Sequence, residues 1–107
     1  MSAQNISVAL EEDRAVIALV GEHEAYTAEK LARTISGLLE EGASIAIDLR
    51  QAAFIDSTVV GVLLAGRRRA AARGLSFMLL MGEDTGWPVK RVLEVTGVVA
   101  QFDVAGS

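Results

Sequence analysis

Ile6 to Leu10 alternates apolar and polar residues, the period of a strand with one wet face, and Glu11-Glu12-Asp13 reads as the turn that follows. Ala15 to Val20 is continuously apolar, as expected of a strand covered on both faces, so the two form an antiparallel hairpin. Gly21 ends that strand, and the loop GEHEAY leads to Thr27 as a helix N-cap. Leu31, Ile35 and Leu38 then recur at helical spacing up to a stop at Gly42. Ile45 to Leu49 reads as a central strand. After the corner Asp56-Ser57-Thr58, a second helix runs to about Arg73 and stops at Gly74. Ser76 to Met81 is another buried strand, and Gly82 to Gly86 a loop. Trp87-Pro88 opens a short helix closed by Gly97, with Trp87 expected to cap the core. Phe102 to Val104 forms either a last short strand or a plug for the core. The order predicts an α/β fold: one domain over residues 1–107, a mixed sheet of four to five strands packed with three to four helices.

The corner at Ser57 is the most informative place in the pattern. A hydroxyl at a helix N-terminus meets unpaired backbone N–H groups and the positive end of the helix dipole. Ser57 therefore suits two roles equally, an N-cap or a residue that carries a phosphate. At about 100° per residue, Val59, Val60, Leu63, Ala70 and Ala71 fall on one side of this helix, with Gly66 at the margin, and must face the sheet. Arg67 also projects there and can snorkel outward. The opposite side carries Thr58, Gly61, Val62, Ala65, Arg68, Arg69 and Ala72. Small residues there let a second protein's backbone approach closely, and an arginine pair can hold a carboxylate, which together predict a docking face starting at Ser57. The competing explanation is that Gly and Ala are simply common in this chain.

Composition narrows the chemistry. The 107 residues contain no cysteine, which excludes disulfides and thiolate sites, and one histidine, His23, too few for an ordinary zinc site. The net charge of −4 argues against nucleic acid as a partner. Its distribution is uneven: residues 1–56 hold 4 basic and 10 acidic side chains, residues 57–107 hold 6 and 4. No apolar run is long enough to insert in a membrane, and the first residues lack a basic-then-apolar leader, so a cytoplasmic protein is expected. A hydrolase built on Ser57 and His23 lacks a G-x-S-x-G elbow and any sign of an oxyanion hole, and His23 reads as an exposed or partly packed loop residue. Neither phosphate-binding glycine motif is present, so no cofactor is expected. Glu24 and Asp56 meet near Ser57 if their strands end at one edge. Two carboxylates make a poor metal site, and orienting loop hydrogen bonds is their expected role.

Three segments taken together resemble one family. VALEEDRAVIALVGEHEAYTAEKL, IAIDLRQAAFIDSTVVGVLL and GLSFMLLMGEDTGWPVKRVLEVTGVVAQFDV resemble, in order, the first hairpin and helix, the D-L-x-x-x-x-F-I-D-S-[ST]-G-L-G-x-L-L signature and the closing segment of STAS domains, in particular bacterial anti-sigma factor antagonists. The resemblance implies a non-catalytic binding module. It implies sequestration of an anti-sigma factor that is also a serine kinase with a histidine-kinase-like ATP-binding fold, release on phosphorylation at Ser57, and reset by a serine phosphatase. Glu24, Asp56, Ser57, Thr58, Gly61, Val62, Ala65, Arg68 and Arg69 are the expected partner-binding residues. Val59 stands where the family usually has glycine, and Glu24 where it commonly has aspartate. The alternative within the family is a constitutive scaffold, such as a lipid-transporter accessory or part of a larger signalling assembly, with Ser57 unmodified.

Overall fold

The computed structural model describes residues 5–106. The elements are β1 (Asn5–Leu10), β2 (Arg14–His23), α1 (Ala25–Glu40), β3 (Ser44–Asp48), β4 (Ala52–Ile55), α2 (Ser57–Ala72), β5 (Phe77–Met81) and α3 (Trp87–Val95), then a short 3-10 turn (Val98–Gln101) and β6 (Asp103–Gly106). The main sheet runs β1-β2-β3-β5-β6, antiparallel at the β1/β2 hairpin that the pattern predicts and parallel elsewhere. The three parallel crossovers all advance in one direction, so right-handed connections put their helices on one face of the sheet. Ile17 and Leu19 of β2, Ile45 and Ile47 of β3, and Phe77 and Leu79 of β5 form the sheet's half of the core. Leu31, Ile35 and Leu39 of α1, Val59, Val60 and Leu63 of α2, and Val89 and Leu93 of α3 complete it.

The structure corrects the sequence pattern at several points. β2 does not stop at Gly21. Gly21 takes a left-handed conformation (φ 85°), the register shifts there, and the strand runs on to His23. Beyond the shift it pairs in parallel with β4, a strand the pattern did not show because four residues are too few to display a period. The sheet therefore has its five-stranded path and β4 beside it. α1 is capped at Glu24 rather than Thr27, which sits one turn in as the third helical residue; its hydroxyl accepts the Glu24 N–H at 3.3 Å, half of a capping box. Ala71 is exposed rather than core-facing, whereas Gly66 is buried. Trp87 does not cap the core: it is 70% exposed, with the Arg91 guanidinium 5.8 Å from its ring centre. Both expectations for the chain's end are met, since Phe102 is buried against Phe77 and the next residues form β6.

Two glycines are fixed by their neighbours. A Cβ on Gly66 would lie 2.9 Å from Phe77 Cε2 and 3.1 Å from Ile35 Cγ2, so only glycine lets α2 settle against α1 and β5 at this depth. A Cβ on Gly86 would run into the Ala53 backbone, 2.8 Å from its carbonyl carbon, where Gly86 N–H donates to Ala52 O at 2.8 Å and ties the start of α3 to β4.

Candidate functional site

The sequence left the N-cap of the second helix open; the structure gives it to Asp56, and Ser57 is the first helical residue. Asp56 Oδ1 accepts the Val59 N–H at 3.0 Å. Its other oxygen accepts the Ala25 N–H, the first amide of α1, at 3.1 Å and the Thr58 hydroxyl at 3.3 Å. One carboxylate thus accepts N–H groups from the first turns of two helices. The Asp56 N–H in turn donates to His23 O at 3.2 Å, tying the end of β4 to the end of β2. Residues 31 positions apart are brought to one corner, which is what positions Ser57.

α1 and α2 therefore start at the same carboxylate and run side by side in the same direction. Their far ends are tied as well. Arg69 Nη1 donates to the Ser36 hydroxyl, and Arg73 Nη1 donates at 2.7 Å to Leu39 O, a carbonyl of the last turn of α1 that also accepts the Gly42 N–H at 3.0 Å. Between the helices lies an open groove of about 280 Å³ lined by Ala32, Ile35 and Ser36 from α1 and by Thr58, Gly61, Val62, Ala65, Gly66 and Arg69 from α2. Thr58, Gly61, Val62, Ala65 and Arg69 of the expected docking face line this groove, with Ser57 next to its upper end. Arg68 is exposed outside the groove, and Arg69, bonded to Ser36, is less free to hold a partner's carboxylate than the sequence suggested. Glu24 is exposed at the same corner, its own backbone engaged with Thr27.

The Ser57 side chain is exposed, and among the described residues its hydroxyl makes no hydrogen bond. Val59, in the position of the family's usual glycine, is fully buried and points into the core, away from that hydroxyl. His23 is not a loop residue but 1% exposed at the end of β2. Nε2 lies 2.9 Å from Val20 O, and since a carbonyl only accepts, Nε2 carries a proton there; Nδ1 lies 3.1 Å from the Thr27 hydroxyl. Both ring nitrogens are thus engaged by β2 and α1, and neither is bonded to Ser57. That arrangement is structural, fixing the entry to α1, and offers Ser57 no general base.

Comparison with known proteins agrees with this geometry. The family model described as "Mlab, STAS domain" matches residues 6–100. An anti-sigma-B factor antagonist of Bacillus subtilis (strain 168) is 27% identical over 101 residues, covering 94% of this chain and 90% of that protein. Among solved structures, the Thermotoga maritima protein TM1081 superposes with a TM-score of 0.80 at 18% identity, covering 95% of this chain and 86% of that one. The anti-sigma factor antagonist SpoIIAA in its unphosphorylated form gives 0.75 at 23% identity over 96% and 89% of the two chains. The same Bacillus protein in its phosphorylated form gives 0.75 at 22% identity over 96% and 91%. With the family model matched along nearly its whole length and its relatives among the anti-sigma factor antagonists, the chain belongs to the STAS domain family.

Proposed function

We propose that the protein is an anti-sigma factor antagonist that sequesters an anti-sigma factor serine kinase of histidine-kinase-like fold and is switched off by phosphorylation at Ser57. The observation that carries this reading is the division of labour at the corner: Asp56 caps the helix, so the exposed Ser57 hydroxyl is free for a partner. A phosphate there would add about −1.5 to −2 charge at a helix N-terminus, which tolerates it, so the fold survives modification. The same charge would stand beside the Asp56 carboxylate at the head of the α1/α2 groove. A partner fitted to a neutral hydroxyl would then face two adjacent negative groups, and a loss of about 3–4 kcal/mol at a desolvated contact lowers affinity by about 10²–10³. A serine phosphatase resets the cycle. On this reading the protein acts in the cytoplasm as a binding module and kinase substrate, not as a catalyst.

The test is a binding titration against the kinase captured with Ser57→Ala as bait. Ser57→Ala should bind at least as tightly as the unmodified protein and resist phosphorylation by the captured kinase in the presence of ATP. Ser57→Asp should bind about tenfold or more weakly while keeping its circular dichroism, because the Asp56 cap is untouched. Equal affinity of both variants, with no phosphate on Ser57 by intact mass, would overturn the switch and leave the constitutive scaffold.

A further inference from the structure

β1 is the outermost strand of the sheet path, and among the described residues its outer edge pairs with no other strand. Its sequence, NISVAL, contains neither charge nor proline, the usual devices that keep an edge from pairing. β6, at the opposite border, is four residues long and opens on Asp103. The hairpin determines what β1 offers outward. The Glu11 N–H donates to Arg14 O at 2.8 Å, and the facing pairs run from Asn5↔Val20 to Leu10↔Ala15. Antiparallel ladders alternate, so Ser7 and Ala9 bond inward to β2 like Glu11, while the N–H and C=O groups of Ile6, Val8 and Leu10 point to the free edge. The same three residues carry their side chains on the helix side of the sheet, facing Leu19, Ile17 and Ala15. Val8 is 44% and Leu10 77% exposed.

We infer that this edge binds a second copy of the chain, β1 pairing antiparallel with β1 of the other molecule about a two-fold axis at Val8. Pairing must join residues that share a face, so a symmetric antiparallel register centres on a residue rather than between two. Centred on Val8, it sets Val8 against Val8, Ile6 against Leu10 and Ser7 against Ala9. The outward-pointing groups of Ile6, Val8 and Leu10 then exchange about six hydrogen bonds, leaving none of them unmatched. Apolar side chains meet across the junction. Leu10 of the second molecule comes beside Ile6, at the mouth of a hollow of about 280 Å³ lined by Asn5, Ile6, His23, Tyr26, Thr27 and Lys30. Charge selects the same arrangement: the acidic turns Glu11-Glu12-Asp13 fall at opposite ends, with the two Glu11 residues about 20 Å apart and well screened. A parallel pairing would set these turns side by side. The surface lies on the flank of α1 away from the α1/α2 groove, so it stands independently of any role for Ser57.

Sedimentation of the full chain across about 10 μM to 1 mM, the range expected of a small edge contact, reads the association directly. The weight-average mass should rise above the 11.3 kDa protomer toward twice that value. Val8→Lys sets two lysines against each other at the axis and should weaken association about tenfold or more, whereas Val8→Thr should retain it. Amide exchange on the unmodified protein gives a second readout that does not depend on variants folding. Ile6, Val8 and Leu10 should slow as concentration rises, while Ser7 and Ala9 are slow throughout. A protomer mass at every concentration overturns the proposal, and so does a dimer in which those three amides stay fast. A dimer indifferent to folded Val8→Lys, or β1 amides slowed only by a different polypeptide, does the same.

Discussion

At the scale of single residues, Asp56 is the position on which most depends, because its carboxylate answers two helix N-termini at once. Asp56→Ala leaves the Val59 and Ala25 amides without it and should lower stability by about 2–3 kcal/mol in urea denaturation. Asp56→Asn should recover much of that, since asparagine caps helices as well as aspartate does. Val59 makes a complementary case. Restoring the family's usual residue with Val59→Gly empties a fully buried site and loosens the first turn of α2, at a cost of about 2–4 kcal/mol. Because Val59 faces away from Ser57, the proposed switch predicts that the folded variant is phosphorylated at the unmodified rate in a kinase assay; a markedly faster rate would show that Val59 restrains modification at Ser57. The inward orientation of Val59 was legible from helical periodicity alone. The double role of Asp56 was not, because nothing in sequence links it to an amide 31 positions away.

At the scale of elements, α1 and α2 were predictable as helices from their apolar spacing, and the small residues on the other side of α2 line its groove with α1. What escaped prediction lay at junctions. Thr27 looked like an N-cap because it is a preferred capping residue, yet β2 ran on past Gly21 to pair with β4, and this moved the start of α1 back to Ala25. Buried His23 was misjudged for the same reason, as its burial depends on that continuation. The groove itself supports a prediction in which stability and binding move in opposite directions. A Cβ on Gly61 or on Gly37 meets nothing within 4 Å, so alanine at either exposed helical position should stabilise the fold by about 1 kcal/mol. Gly61 lines the groove and Gly37 does not. On the proposed function, Gly61→Ala should therefore raise the melting temperature yet weaken binding of the proposed kinase, whereas Gly37→Ala should raise it with binding unchanged. Equal binding by the two would remove the α2 face from the interface.

At the scale of the whole molecule, the main sheet leaves the two flanks of α1 with different surfaces: the groove shared with α2 on one side, and the uncharged edge of β1 on the other. A β1-linked pair would therefore present two α1/α2 grooves, and on the proposed function each protomer should bind the proposed kinase without competing with its neighbour. The fold's response to acid is carried in part at the far end of β3. The Arg50 guanidinium donates to both Asp48 oxygens, at 3.0 and 2.9 Å, and the Arg50 N–H adds a further bond at 3.0 Å. These hold the Asp48 carboxyl below its ordinary range, with the side-chain bond from Arg50 the largest cause and partial burial opposing it. A depressed carboxyl contributes stability that is complete above its unfolded pKa, about 3.9, and that is lost as pH falls through the lower folded value. Arg50 remains charged throughout this window, its own pKa being raised by Asp48. The stability difference between the unmodified protein and Asp48→Asn should thus be constant from about pH 7 to 5 and shrink below about pH 4 in urea titrations. Since Arg50 is open to solvent, the difference should also shrink with added salt at neutral pH. A gap that instead widened on acidification would mean that Asp48 is held by something other than its pairing with Arg50.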